Sequence, residues 1–175
     1  MDEYGCKYAG DVLLKCVESA PVVYVKEGTR IIAGNAFQYN KIIEKVILPN
    51  SLYYIGEGAF QSCKHLEEVM FDQDSNLKMI DNDAFMFCIQ LKGLVLPEKL
   101  NKIGRCAFSD CGMEWIRIPK NVEHIEPGIC GILDFCVNLK EIELPEHLKD
   151  TYEAQKIVSP YYLGGVKSPK ITFYP

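Results

Sequence analysis

The amino-acid sequence predicts an α/β solenoid, a single domain of stacked coils with short strands along one side and short helical or 3₁₀ turns along the other. Three observations carry this. A short phrase recurs as Asn35-Ala36-Phe37, Gly58-Ala59-Phe60, Asp83-Ala84-Phe85 and Cys106-Ala107-Phe108, its phenylalanines 23, 25 and 23 residues apart. Cys63, Cys88 and Cys111 each follow a repeat phenylalanine by three residues. Alternating apolar stretches such as Val46-Ile47-Leu48-Pro49 and Leu94-Val95-Leu96-Pro97 precede each phrase. A fixed period in this range marks coils that bury their apolar residues only by stacking on their neighbours.

The elements follow in order. Residues 1–21 form an N-terminal cap whose Cys6–Ala9 and Val12–Cys16 segments make a hairpin turning at Gly10-Asp11. That turn brings Cys6 and Cys16 near each other, which makes them the first candidates for a disulfide. Residues 22–145 hold about five repeats, beginning with the strand Val22–Val25. Within a coil, period-two alternation gives a strand with one buried face, and proline ends it because it cannot donate to a ladder. Gly56 and Gly104 permit the corner that follows. The Ala-Phe-x-x-Cys spacing fits one helical or 3₁₀ turn on the opposite wall, with phenylalanine supplying the largest buried volume.

A degenerate fifth phrase is expected at Gly128-Ile129-Cys130, with Cys136 reaching the cysteine slot after a three-residue insertion. Residues 146–175 form a C-terminal cap, with a polar, helical stretch from Leu148 to Val158 and a final strand at Lys170–Pro175. The cysteines that keep the repeat period should stack as a buried, reduced ladder. Parallel side chains in register approach poorly for a disulfide dihedral and do not converge tetrahedrally on zinc.

The four Ala-Phe-x-x-Cys-type units, with their L-P-x-x-L-x-x-I-G lead, resemble the BspA-like class of leucine-rich repeats over about residues 22–145. The resemblance implies a right-handed superhelix with a parallel sheet on its concave face. It also implies a non-enzymatic role in protein binding or adhesion, often at a bacterial cell surface. The alternative is a structural or spacer repeat protein without a dedicated ligand, monomeric or weakly self-associating.

Composition narrows the function independently. A net charge of −5 with three scattered arginines argues against a nucleic-acid surface or an anionic membrane. Residues 1–10 lack the apolar core of a signal peptide, and no apolar run approaches a membrane span. The chain as written therefore reads as cytoplasmic, whereas the resemblance points to the surface. Gly56-Glu57-Gly58 is explained by the repeat, not by a dinucleotide fingerprint. Asp72-Gln73-Asp74-Ser75-Asn76 imitates a calcium loop but lacks its glycine and closing glutamate. His65, His124 and His147 each precede a core position and should face solvent. No catalytic residue, metal site or cofactor is expected.

The out-of-phase strand positions should line the concave face. One row comprises Tyr24, Ile47, Met70, Val95, Arg117, Glu143 and Thr172; beside it run Lys45, Glu68, Gly93, Trp115, Glu141 and Lys170. Tyr24, Ile47, Met70 and Val95 are apolar or aromatic where water is expected, and Trp115 adjoins Arg117. Contiguous exposed apolar surface marks interaction sites, and Trp and Arg are enriched at binding hot spots. Tyr24, Ile47, Met70, Val95, Trp115 and Arg117 are therefore the expected partner-binding residues for a protein ligand.

Overall fold

A computed structural model describes residues 1–17, 20–125, 131–149, 157 and 169–175. The backbone winds into a parallel-sheet solenoid of about five turns. Each turn has three walls. The first is the predicted strand wall: β3 (Val22–Tyr24), β5 (Lys45–Leu48) and β7 (Glu68–Phe71) form one sheet. Continuing along the solenoid, β9 (Gly93–Val95), β11 (Trp115–Arg117), β13 (Glu141–Pro145) and β14 (Lys170–Tyr174) form another.

The second wall was not anticipated. Two-residue strands β4 (Ile31–Ile32), β6 (Tyr54–Ile55), β8 (Met79–Ile80), β10 (Lys102–Ile103) and β12 (His124–Ile125) pair in parallel, one per coil. The hairpin of β1 (Cys6–Ala9) and β2 (Val12–Cys16) extends this sheet to seven strands. Two residues are too few to show an alternation, so these strands leave no periodic signal. Cys6 and Cys16 face each other in the hairpin, as the turn position predicted, and the structure joins them in a disulfide.

The third wall carries the Ala-Phe phrase, and it departs from the expected helical character. Among the described residues the only helix is a 3₁₀ turn at Glu146–Leu148. At the phrase, N–H groups alternate between two kinds of acceptor. Ala36, Gln38 and Asn40 donate three residues back, to Ala33, Asn35 and Phe37. Asn35, Phe37 and Tyr39 donate instead to Glu57, Ala59 and Gln61 of the next coil. The scheme repeats from Gly58 to Cys63, where Phe60 donates to Ala84. A helix would direct every N–H along its own axis; here half of them join coils. The alternation requires left-handed residues two before and two after each phenylalanine. These are Asn35 and Tyr39, Gly58 and Ser62, Asp83 and Phe87, and Cys106 and Asp110, with φ between 50° and 63°.

The same pattern corrects the fifth phrase. Phe37, Phe60 and Phe85 donate to Ala59, Ala84 and Ala107, and Phe108 donates in the same way to Ile132. Ile132 and Leu133, both buried, therefore fill the Ala and Phe slots. Cys136 then follows Leu133 by the usual three residues, and the extra residues fall before the phrase rather than within it. Gly128-Ile129-Cys130 lies outside the described residues, as does most of the stretch expected to be helical from Leu148 to Val158. Ile157 is buried, and its carbonyl accepts from Leu133 as in the earlier coils.

The core is a column. Phe37, Phe60, Phe85 and Phe108 stack with centroids 4.6, 5.0 and 5.5 Å apart. Beside them Cys63, Cys88, Cys111 and Cys136 are free and buried. Each thiol donates to the phenylalanine carbonyl of the preceding coil, at 3.0 to 3.2 Å. Burial pushes the Cys63 thiol up to about 12 and raises Cys111 and Cys136 as well. Cys106, outside the ladder, is disulfide-bonded.

The glycine at the corner has a different cause from the one expected. Gly56 and Gly104 do not adopt left-handed backbone. A Cβ on Gly56 would lie 2.6 Å from the Gly34 nitrogen, and one on Gly104 would lie 2.3 Å from the Asn82 nitrogen. Close stacking of neighbouring coils, not backbone freedom, excludes a side chain there.

Candidate functional site

The strand wall positions the predicted row. Alternation buries Val23, Val46, Val69, Leu94, Ile116 and Ile142, so the residues between them must point outward. Parallel pairing then sets the outward residues side by side. Tyr24 pairs with Ile47 and Ile47 with Met70. Val95 pairs with Arg117, Arg117 with Glu143, and Glu143 with Thr172. The neighbouring row is also in register, with Lys45 opposite Glu68, and Gly93, Trp115, Glu141 and Lys170 in succession.

The row is interrupted once. No ladder joins β7 to β9. The break coincides with two extra residues between Phe71 and Leu77, which stretch that repeat to 25 residues. The face therefore carries two clusters. Tyr24, Ile47 and Met70 line a groove of about 750 Å³ together with Tyr4 and Asp72. Val95, Trp115 and Arg117 line a groove of about 360 Å³ with Glu98 and Glu143. A third groove, of about 440 Å³, spans the break and contains Met70, Val95 and Trp115.

The apolar members are open to solvent: Tyr24 is 54% exposed, Met70 42%, Val95 73% and Trp115 44%, while Ile47 is half-buried. The Trp115 indole packs against Gly93, where an added Cβ would come within 2.6 Å of the ring. Arg117 is held in place rather than left free. Its guanidinium sits 4.1 Å above the Tyr174 ring, and its Nε is 3.7 Å from Glu143. Interaction with Tyr174, foremost a hydrogen bond, raises the Arg117 pKa further. The Tyr174 hydroxyl in turn donates to the Ile118 carbonyl at 2.6 Å.

Sequence reasoning missed Tyr4 and Tyr174 as parts of this face. The Tyr4 ring reaches Tyr24, centroid to centroid 5.7 Å, only because the hairpin returns across the first coil. Nothing in local spacing signals that contact. Gly93 was placed in the second row, but its role as the seat of Trp115 depends on a neighbouring coil.

Other candidate groups fall away from this face or into local structure. The Asp72 carboxylate accepts from the Asp74 N–H at 2.9 Å, and Ser75 Oγ from Leu77 at 3.4 Å, so loop oxygens serve the loop itself. Among the described residues no group of three or more His, Cys, Asp and Glu side chains could hold a metal ion. His65 and His147 are exposed; the His124 side chain lies outside the described atoms. Among the described residues no helix is long and apolar enough to cross a membrane.

A family model described as BspA type leucine rich repeat region matches residues 15–130 and 73–155, in six copies. The chain belongs to this family. No curated protein matches this leucine-rich repeat chain at the level of sequence. Its fold is similar to the crystal structure of the T. pallidum leucine-rich repeat protein TpLRR, at TM-score 0.72 and 23% identity, covering 98% of this chain and 83% of that one. A leucine-rich cell surface protein from Faecalibacterium prausnitzii is similar at TM-score 0.68 and 25% identity, covering 85% of this chain and 38% of that one. The pneumococcal vaccine antigen PcpA is similar at TM-score 0.66 and 19% identity, covering 94% of this chain and 44% of that one.

Proposed function

We propose that this leucine-rich repeat chain is a non-enzymatic binding module whose protein partner lies across Tyr24, Ile47, Met70, Val95, Trp115 and Arg117. The observation that carries the reading is the outward row itself. Apolar side chains stand in register on solvent-exposed strands, outside the packing that the repeat demands. Water against such a surface is displaced favourably by a partner, at roughly 25 cal/mol per Å² of apolar area. Trp115 is pre-seated on Gly93 and Arg117 is pre-oriented by Tyr174, so little side-chain freedom remains to be lost on binding. A surface setting is in keeping with the cell surface protein and the vaccine antigen that share the fold.

Trp115→Ala and Met70→Glu test this directly. Both side chains are exposed, so each variant should melt within about 0.5 kcal/mol of the parent while losing partner capture. Unchanged capture by both variants would remove the proposal in favour of a spacer without a ligand at this face.

A further inference from the structure

From the charges bordering these grooves we infer that the occupant is a cationic, extended peptide segment carrying apolar side chains; this rests on the binding role proposed above. The three grooves are lined by eight carboxylates and only two cations, Lys26 and Arg117. With Lys45 and Lys170, which stand on the same face, the net there is −4 in a chain whose total is −5, so the remainder of the molecule is close to neutral.

Some of this charge is balanced locally. Glu68 pairs with Lys45 at 2.7 Å, Glu141 with Lys170 at 2.9 Å and Glu143 with Arg117 at 3.7 Å. Asp2, Glu3, Glu27, Asp72 and Glu98 are exposed and make no ion pair among the described residues. Three of these, Glu27, Asp72 and Glu98, follow the strands of their coils and so border the same side of the apolar row. Of the two groove-lining cations, Arg117 already pairs with Glu143 and is also acted on by the charge of Glu98, which leaves Lys26 as the cation without an ion pair among the described residues.

The geometry suits an extended chain crossing the strands. From Tyr24 to Arg117 the row crosses five coils; its three paired steps alone span about 14 Å at about 4.8 Å each, the reach of about four extended residues, and the unpaired step from Met70 to Val95 adds to this. In an extended peptide alternate side chains point to opposite sides. One set can rest on Tyr24, Met70, Val95 and Trp115 while lysines or arginines reach the acidic border. An acidic partner, a nucleic acid or an anionic membrane would meet like charge here, as would the same face of a second copy.

The probe is a fluorescein-labelled octapeptide of alternating Lys and Phe, compared with Glu-Phe and Lys-Gly octapeptides by anisotropy on the intact 175-residue chain. The Lys-Phe peptide should bind at least about tenfold more tightly than either control, and rising salt should weaken it because the border is exposed. Combining Glu27→Lys and Glu98→Lys with Asp72→Asn, which keeps an oxygen for the Asp74 N–H, should cost about tenfold or more without shifting the melt. Trp115→Ala should weaken the same peptide. Equal binding of the Glu-Phe peptide, equal binding of the Lys-Gly peptide, or indifference to the reversed border overturns the inference. If the Lys-Phe peptide fails while Trp115→Ala still abolishes partner capture, the cationic chemistry falls and the binding face stands. If Trp115→Ala and Met70→Glu leave capture unchanged, the binding face falls as well.

Discussion

Two walls of the same solenoid respond differently to the same irregularity. The turn wall has almost no regular secondary structure, yet its coil-joining hydrogen bonds continue from Phe37 to Leu133, and its stacked phenylalanines and its Cys column continue to Phe108 and Cys136. The strand wall is regular within each sheet, yet it divides between β7 and β9, where two extra residues follow β7. The difference teaches where this fold keeps its register. Buried stacked rings and carbonyls that need donors tolerate no slip. A strand face with one side in water can give up a rung of ladder bonds to solvent. The candidate binding face therefore lies on the wall that yields.

The comparison can be broken most severely at the column. Phe85 stacks between Phe60 and Phe108, and Phe85→Ala should lose about 3–5 kcal/mol in denaturant unfolding, because the coils cannot collapse into the gap. A loss as small as that of an exposed strand residue would mean the column does not set the register.

Alkaline titration probes the thiols beside it. A buried thiol holds its proton more tightly in the folded state than in the unfolded chain. Stability is therefore unaffected while both states stay protonated, and falls as pH rises above 9.0, the ordinary Cys63 value, towards about 12. Cys63, Cys88, Cys111 and Cys136 should react with a thiol reagent only once the protein unfolds. Reaction of any of them in the native protein would contradict the ladder.

A smaller effect isolates the thiol's bond. Cys88→Ala removes the donor to the Phe60 carbonyl and should cost about 1 kcal/mol, whereas Cys88→Ser, which can still donate, should cost less. Equal losses would show that volume alone matters in the slot. The mildest test acts on the strand wall. Deleting Gln73 and Asp74 restores a 23-residue repeat and should let β7 and β9 pair, seen as slower hydrogen exchange at Gly93 and Val95 with little change in the melt. Unchanged exchange would separate the break from the insertion.

Much of this molecule was legible before its structure. The strand rows, the Cys ladder, the hairpin and the nearness of Cys6 to Cys16 all follow from spacing and alternation. The misplaced fifth phrase shows the limit of matching by resemblance. Gly128-Ile129-Cys130 imitates the small-then-apolar phrase, but the slot is identified by which carbonyl Phe108 reaches, and that carbonyl belongs to Ile132. The same limit hid the two-residue strands of the second wall and the left-handed residues, where Tyr39, Ser62 and Phe87 carry no glycine to announce them.

By itself the sequence determined the coil: its period, which residues point inward, and which row is left over, because these depend only on neighbours along the chain. Only the tertiary structure decided how coils meet. Trp115 lies on Gly93, Arg117 under the hold of Tyr174, and Tyr4 against Tyr24, contacts that join different coils or the hairpin to a coil. The division of one apolar row into bordered grooves has the same origin. Packing between coils depends on distances that no spacing within a single repeat encodes.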